Sequence, residues 1–276
     1  DTLVRDLERD GHGLILILGK GGVGKTTLAR RVALELAQRG HPVHLTTTDP
    51  AGREWAIAES TVPNLRVSRI DPVAETQAYT ERVLATRGRT LSPDERALLE
   101  EDLRSPCTEE VAVFHAFSRV ISQARSTFVI VDTAPTGHTL LLLDATGAYH
   151  HEVMRTLAGH SGFRGTVTPL MRLQDPAYTK MLIVTLPETT PVLEAKQLQD
   201  DLRRAGIEPY AWVSNKSLAA ADVSDPLLQH RASAELEHIH VVLHNIAQRV
   251  YLVPWTVQEL EDREPLHAGA TSDRTA

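Results

Sequence analysis

The run Gly19-Lys20-Gly21-Gly22-Val23-Gly24-Lys25-Thr26 follows the pattern G-x-x-x-x-G-K-[ST], a spacing suited to holding phosphate. Its glycines let consecutive backbone N–H groups face one anion, and a helix opening directly after the loop adds partial positive charge. Lys25 is spaced to reach the β- and γ-phosphates of a nucleotide, and the Thr26 hydroxyl to ligate Mg²⁺. The alternative is a glycine-rich turn without a ligand. Lys20 adds a second cation, which makes physical sense where negative charge accumulates during phosphoryl transfer, or which is simply solvated beside the loop. Two carboxylates complete the set. Asp132 ends the apolar run Phe128-Val129-Ile130-Val131, where it would order Mg²⁺ or cap a helix. Asp49 follows a second apolar run and precedes Pro50, where it would orient or deprotonate a water, or serve a turn.

Such groups need elements that end at one place. Apolar runs at Leu14–Leu18, Val43–Thr47, Leu65–Ile70, Phe128–Val131, Met181–Thr185, Tyr210–Val213 and Val250–Val253 read as strands covered on both faces. Between them, Thr27–Gln38 and Val192–Arg204 repeat apolar residues at spacings of three and four, as crossover helices do. The fold expected is α/β: a P-loop nucleoside triphosphatase with a mostly parallel sheet flanked by helices. Residues 71–124 hold no strand pattern, and the capping-box pattern Ser92-Pro93-Asp94-Glu95 opens one of two or three helices there, so this stretch reads as a helical insertion. The glycines and prolines of Ala158–Pro176 predict a long mobile loop. Residues 1–265 are expected to form one domain, and 266–276 a disordered tail.

Composition narrows the partners. The 276 residues carry 29 Lys plus Arg against 36 Asp plus Glu, a net charge of −7, which leaves no general positive field for nucleic acid. A single cysteine, Cys107, rules out an intrachain disulfide, a CxxC zinc site and an iron–sulfur cluster built by one subunit. It also fits a reducing compartment. No apolar run approaches the roughly 18 residues that span a bilayer, and the charged start has no secretory pattern, so the reading is cytoplasmic. With Asp1 in place of an initiator methionine, the sequence also reads as a processed or excised part of a longer chain.

Together, the phosphate loop extended through Thr27, Thr48-Asp49-Pro50-Ala51, and Asp132-Thr133-Ala134-Pro135-Thr136-Gly137-His138-Thr139 resemble the arsenical pump-driving ATPases, a group that also includes tail-anchored-protein targeting ATPases. Leu103 to Glu110, Leu140 to Tyr149 and Thr185 to Val192 resemble specifically the C-terminal half of the two-halved arsenical enzyme. The resemblance runs from about His12 to Pro254. It departs at Gly52-Arg53-Glu54-Trp55, after Asp49-Pro50-Ala51, which the resemblance implies to be the first switch.

The resemblance implies a nucleotide site of Gly21, Gly22, Gly24, Lys25, Thr26 and Thr27, with Lys20 as a signature lysine acting across an interface at the other subunit's nucleotide. It implies Asp49 as the water-orienting carboxylate and Asp132 at the metal. Asn215 matches the asparagine that reads adenine and Pro254 the residue that packs the base, unless both belong to an ordinary strand-to-loop turn. Cys107, Ser105 and His138 match the metalloid-site residues. Trivalent arsenic and antimony are thiophilic, with imidazole a poorer ligand, so one cysteine is too few without a partner. Ser105-Pro106-Cys107-Thr108 also reads as N-cap, N1, N2 and N3 of a helix; the dipole there would favour a thiolate, while Glu109 and Glu110 would oppose it. The alternatives are a capping Ser105, a buried inert Cys107 thiol and a polar His138 in a switch loop.

The function implied is a metalloid-stimulated ATPase: it hydrolyses ATP with Mg²⁺, is activated by As(III) or Sb(III), and drives arsenite or antimonite through a membrane permease on which it docks peripherally. A second nucleotide-binding half or a second copy would complete it. The alternative, a carrier for tail-anchored proteins, calls for a Met-rich or broadly apolar insertion. Only 3 Met occur in the chain, and the insertion carries Asp94, Glu95, Arg96, Glu100, Glu101 and Asp102. A partition-type ATPase would need a basic DNA- or membrane-binding element, whereas Gln258–Glu264 is acidic. A module that binds nucleotide without hydrolysing it remains a further reading.

Overall fold

The computed structural model describes residues 2–47, 62–86, 88–133 and 167–256. Seven strands form one sheet in the order β3-β2-β4-β1-β5-β6-β7, every described pairing parallel. They are β1 (Gly13–Leu18), β2 (Val43–Thr47), β3 (Leu65–Arg69), β4 (Phe128–Asp132), β5 (Thr179–Thr185), β6 (Ala211–Ser217) and β7 (Val250–Pro254). Parallel strands need crossovers, and here helices supply them on both faces. Every residue of β1, β2, β4 and β5 is buried, whereas the edge strands β3 and β7 are only partly covered.

The two-residue strand period divides the core between the faces. Ile15, Ile17, Leu45, Ile130, Val184 and Val213 pack under α1 (Thr2–Leu7) and α2 (Lys25–Gln38). On the other face Leu14, Leu16, Val129, Val131, Ile183 and Trp212 meet α5 (Pro106–Ser122) and α7 (Thr189–Arg204). Trp212 is fully buried, and its indole N–H donates to Gln199 Oε1 at 2.7 Å, so this large side chain leaves no orphan donor.

All seven strands expected from the sequence are present, with ends shifted by at most two residues except in β6, which runs four residues further, to Ser217. The stretch 71–124 holds α3 (Pro72–Thr86), α4 (Pro93–Asp102) and α5. The capping box at α4 is formed in both directions: Ser92 Oγ accepts from the Glu95 N–H at 3.4 Å, and the Glu95 carboxylate from the Ser92 N–H at 2.8 Å. The long loop expected at Ala158–Pro176 is corrected where it is described, because Pro169–Gln174 is a helix, α6, capped by the Thr168 hydroxyl accepting from Met171 N–H at 3.3 Å. Its earlier part, 158–166, and the tail 266–276 lie outside the described residues. Two elements carry weaker sequence signals: α1, with Leu3, Val4 and Leu7 buried, and α8 (Pro226–Val241), capped by Asp225 accepting from the N–H groups of Leu227 and Leu228.

Candidate nucleotide-binding site

Strand order decides which residues meet. β1 lies between β4 and β5, so the loop leaving β1 emerges beside the carboxyl ends of both, in the crevice where open α/β sheets bind ligands. Register does the rest: Asp132 pairs with Ile17 on one side and with Thr47 on the other. Thr26 Oγ1 donates to Asp132 Oδ2 at 2.8 Å, and Thr47 Oγ1 approaches the same oxygen at 3.4 Å. Thr133 ties its hydroxyl to the Ile17 carbonyl at 2.8 Å, fixing the start of the segment after β4 against β1. Asp132 is 1% exposed, a buried carboxylate that accepts from both hydroxyls.

The loop itself requires its glycines. At Gly19, with φ +146°, a Cβ would lie 2.3 Å from the Val184 carbonyl oxygen of β5, so only glycine lets the chain turn out of β1 there. At Gly24, with φ +90°, a Cβ would lie 2.3 Å from Asn215 Nδ2. Gly24 is the N-cap of α2 and supplies no side-chain cap, leaving the first-turn N–H groups of the helix to an outside acceptor. Lys25 opens α2, is buried, and donates from Nζ to the Lys20 carbonyl at 3.0 Å, closing the loop on itself. Gly21, Gly22, Thr26 and Thr27 are exposed along the loop's outer side.

Lys20 is engaged in an ion pair outside the loop. Its ammonium pairs with Glu194 Oε1 on α7 at 2.8 Å, and both side chains are a little under half exposed. On the other side of the loop, Asn215 is buried and donates from Nδ2 to the Val23 carbonyl at 2.9 Å, joining β6 to the loop. Pro254, at the end of β7, is paired with Ser217 and so lies beside the same strand end. The structure thus brings Gly21, Gly22, Gly24, Lys25, Thr26, Asp132 and Asn215 to one end of the sheet.

Ser105 and Cys107 stand elsewhere, at the start of α5. Ser105 is its N-cap by backbone conformation but makes no side-chain cap; its Oγ lies 3.3 Å from Thr108 Oγ1 instead. Cys107 is exposed, which removes the buried-thiol alternative. Asp49 and His138 lie outside the described residues.

The sequence offered no sign of Glu235. This carboxylate on α8 is 7% exposed and accepts from Ser217 Oγ at 3.0 Å and from Ala219 N–H at 3.1 Å, anchoring the turn that follows Asn215. A carboxylate between apolar neighbours on a helix looks like a surface residue until its partners, 18 and 16 residues earlier, are seen.

A glycine-rich loop between β1 and α2, with Lys25 and Thr26 in its first helical turn and Asp132 ending the adjacent strand, defines a P-loop nucleoside triphosphatase. The sequence profile of the anion-transporting ATPases matches residues 12–173, and the chain belongs to that family. It is 56% identical over 257 residues to an arsenical pump-driving ATPase of Acidiphilium multivorum, covering 93% of this chain and 44% of that protein. A putative arsenical pump-driving ATPase 2 of Aquifex aeolicus is 31% identical over 251 residues, 79% of this chain and 84% of that one. The ATPase GET3 of Malassezia globosa is more distant, 26% identical over 310 residues, 96% of this chain and 92% of its own. This chain therefore spans less than half the length of the Acidiphilium relative.

Proposed function

We propose that this chain binds ATP with Mg²⁺ at the P-loop and hydrolyses it, and that a trivalent metalloid and a membrane permease are coupled to its turnover. The contact between Thr26 and Asp132 carries the reading, because it joins a hydroxyl and a carboxylate at the mouth of a glycine cradle. Those are hard oxygen donors, and they suit Mg²⁺. When bound, Mg²⁺ neutralises charge on the terminal phosphates, and Thr26 and Asp132 are the residues that would hold it.

The other roles follow from what each side chain can do. The N–H groups of Gly21, Gly22 and Gly24 and those opening α2 at Lys25, Thr26 and Thr27 would donate to phosphate oxygens. Lys25 would exchange the neutral Lys20 carbonyl for phosphate charge, a stronger acceptor. Asn215 keeps its Oδ1 on the side away from the donated N–H bond and would read the adenine edge, with Pro254 packing the base. Asp49 would orient the attacking water. Lys20 would act on the nucleotide of a second half or a second copy, and its release from Glu194 is inexpensive, since an exposed ion pair contributes at most about 1 kcal/mol.

Metalloid coupling would use Cys107, Ser105 and His138. The exposure of Cys107 supports it, because a soft ligand must be reachable by its ion and by the further thiolates that one chain cannot supply. The name of the Acidiphilium relative, and its greater length, support a second nucleotide-binding half and a pump as partners. Residues 1–265 would serve as one ATPase domain with its helical insertion, and 266–276 as a tail. No helix among the described residues is long and apolar enough to cross a membrane. The protein would work in the cytoplasm and reach the bilayer through the arsenite or antimonite permease.

The test is the Mg²⁺-dependent rate of ATP hydrolysis, with and without antimonite, for this chain and for Cys107→Ser. Stimulation that the substitution removes is the expected result. Hydrolysis that antimonite leaves unchanged would remove the metalloid role from this chain, and an absence of both nucleotide binding and hydrolysis would overturn the enzyme reading.

A further inference from the structure

β6 does not end as its neighbours do. Between Ser214 and Ser217 its pairing with β7 shifts register, and within the shift Lys216 adopts φ +54°. A left-handed backbone is strained for a side chain such as lysine, and it persists only where the surroundings fix it. Here they do so on both flanks. Asn215, the preceding residue, is tied to the Val23 carbonyl, while Ser217, the following one, donates its hydroxyl to buried Glu235 and its carbonyl accepts from the Trp255 N–H at 3.0 Å. Ala219 adds a second bond to Glu235.

The consequence is where the Lys216 side chain goes. Its Cε lies 3.7 Å from the position of a Cβ on Gly24, so the half-buried stem runs over the glycine that opens α2, beside Asn215 and near Pro254. A lysine stem is four methylenes long and readily covers a flat apolar surface while its ammonium stays hydrated or hydrogen-bonded.

We propose that Lys216 is a nucleotide-binding residue whose hydrocarbon stem covers one face of the purine, and that the strained, doubly anchored turn exists to place it there. The inference rests on the nucleotide reading and deepens it, naming a base contact that the phosphate loop does not provide. It separates charge from shape: the stem, rather than the ammonium, makes the contact.

Calorimetric titration of the chain with Mg²⁺·ADP tests this, comparing the unaltered chain with Lys216→Gly and Lys216→Met. Glycine relieves the backbone strain but removes the stem, so the thermal midpoint should hold or rise while ADP affinity falls about tenfold. Methionine keeps most of the stem without charge and should bind within about threefold of the unaltered chain. Pyrophosphate, which lacks a base, should bind all three alike. Lys216→Gly binding ADP as tightly as the unaltered chain, or Lys216→Met losing as much as Lys216→Gly, would overturn the proposal. No ADP binding by the unaltered chain would instead overturn the nucleotide reading beneath it, and this inference with it.

Discussion

The phosphate-loop end of the sheet and the helical stretch 72–102 are built in opposite ways. At the loop, bonds link distant parts of the chain: Thr26 to Asp132, Thr133 to Ile17 and Asn215 to Val23 join positions 106, 116 and 192 residues apart. In the helical stretch neither α3 nor α4 has a buried residue, and α3 meets the core helix α5 through Arg119, paired to Glu75 at 2.6 Å, and His115, stacked on Tyr79. Val73 and Leu98 stand 75% and 64% exposed on α3 and α4. A site that must hold phosphate without rearranging is cross-linked, whereas a region held by few buried apolar contacts opens at low free energy.

Lys25→Ala breaks the first region most severely. Hydrolysis should fall at least about a hundredfold in a turnover assay, because no other described side chain in the cradle carries its charge to the phosphates. Gly24→Ala should come next. At φ +90°, with Asn215 Nδ2 2.3 Å from the new Cβ, it should cost about 1–3 kcal/mol in a denaturant titration and weaken ADP binding, since the Asn215–Val23 bond must move. Glu235→Ala leaves Ser217 Oγ and Ala219 N–H without their acceptor and should cost about 1–3 kcal/mol, read in the same way.

Smaller effects are expected in the helical stretch. Ser92→Ala removes one direction of the α4 capping box and should cost about 1 kcal/mol, appearing as faster amide exchange in α4 with basal hydrolysis unchanged. His115 yields the smallest. Burial first, and then the nearby Arg82 and Arg119, hold its imidazole below the ordinary value of 6.5. The fold therefore favours the neutral ring: its contribution is complete above pH 6.5 and is lost as pH falls below that value. Exchange in α3 and α5 should quicken modestly on that descent, and His115→Asn should flatten the dependence.

What could be read from the sequence divides along the same line. The seven strands were legible because doubly covered parallel strands are continuous apolar runs, and the loop because its glycines and Lys25 are local in sequence. The helix α1 was not, since six residues with three apolar positions carry no full repeat. Nor was α6, whose Thr168 cap lies among glycines and prolines that signal loop. Within the site, Asp132 could be placed from the end of its strand, but its contact with Thr26 depended on strand order. Asn215 could be placed at the end of its strand, while its hold on Val23 could not be read, and Glu194 and Glu235 looked like ordinary helix-surface carboxylates. His44 read only as a strand residue, and within β2 it is buried with Nδ1 2.9 Å from Gln123 Oε1 and Nε2 2.7 Å from Ser68 Oγ, a polar cluster that the pairing of β2 with β3 and the turn after α5 create together.

Amide hydrogen exchange of this chain, free and with Mg²⁺·ADP, tests the contrast and the nucleotide site together. The account predicts that residues 72–102 exchange faster than β1 and β4 in the free protein, and that nucleotide slows exchange chiefly at residues 19–28 and 215–219. No added protection at 19–28, or a helical stretch exchanging as slowly as the central strands, would contradict it.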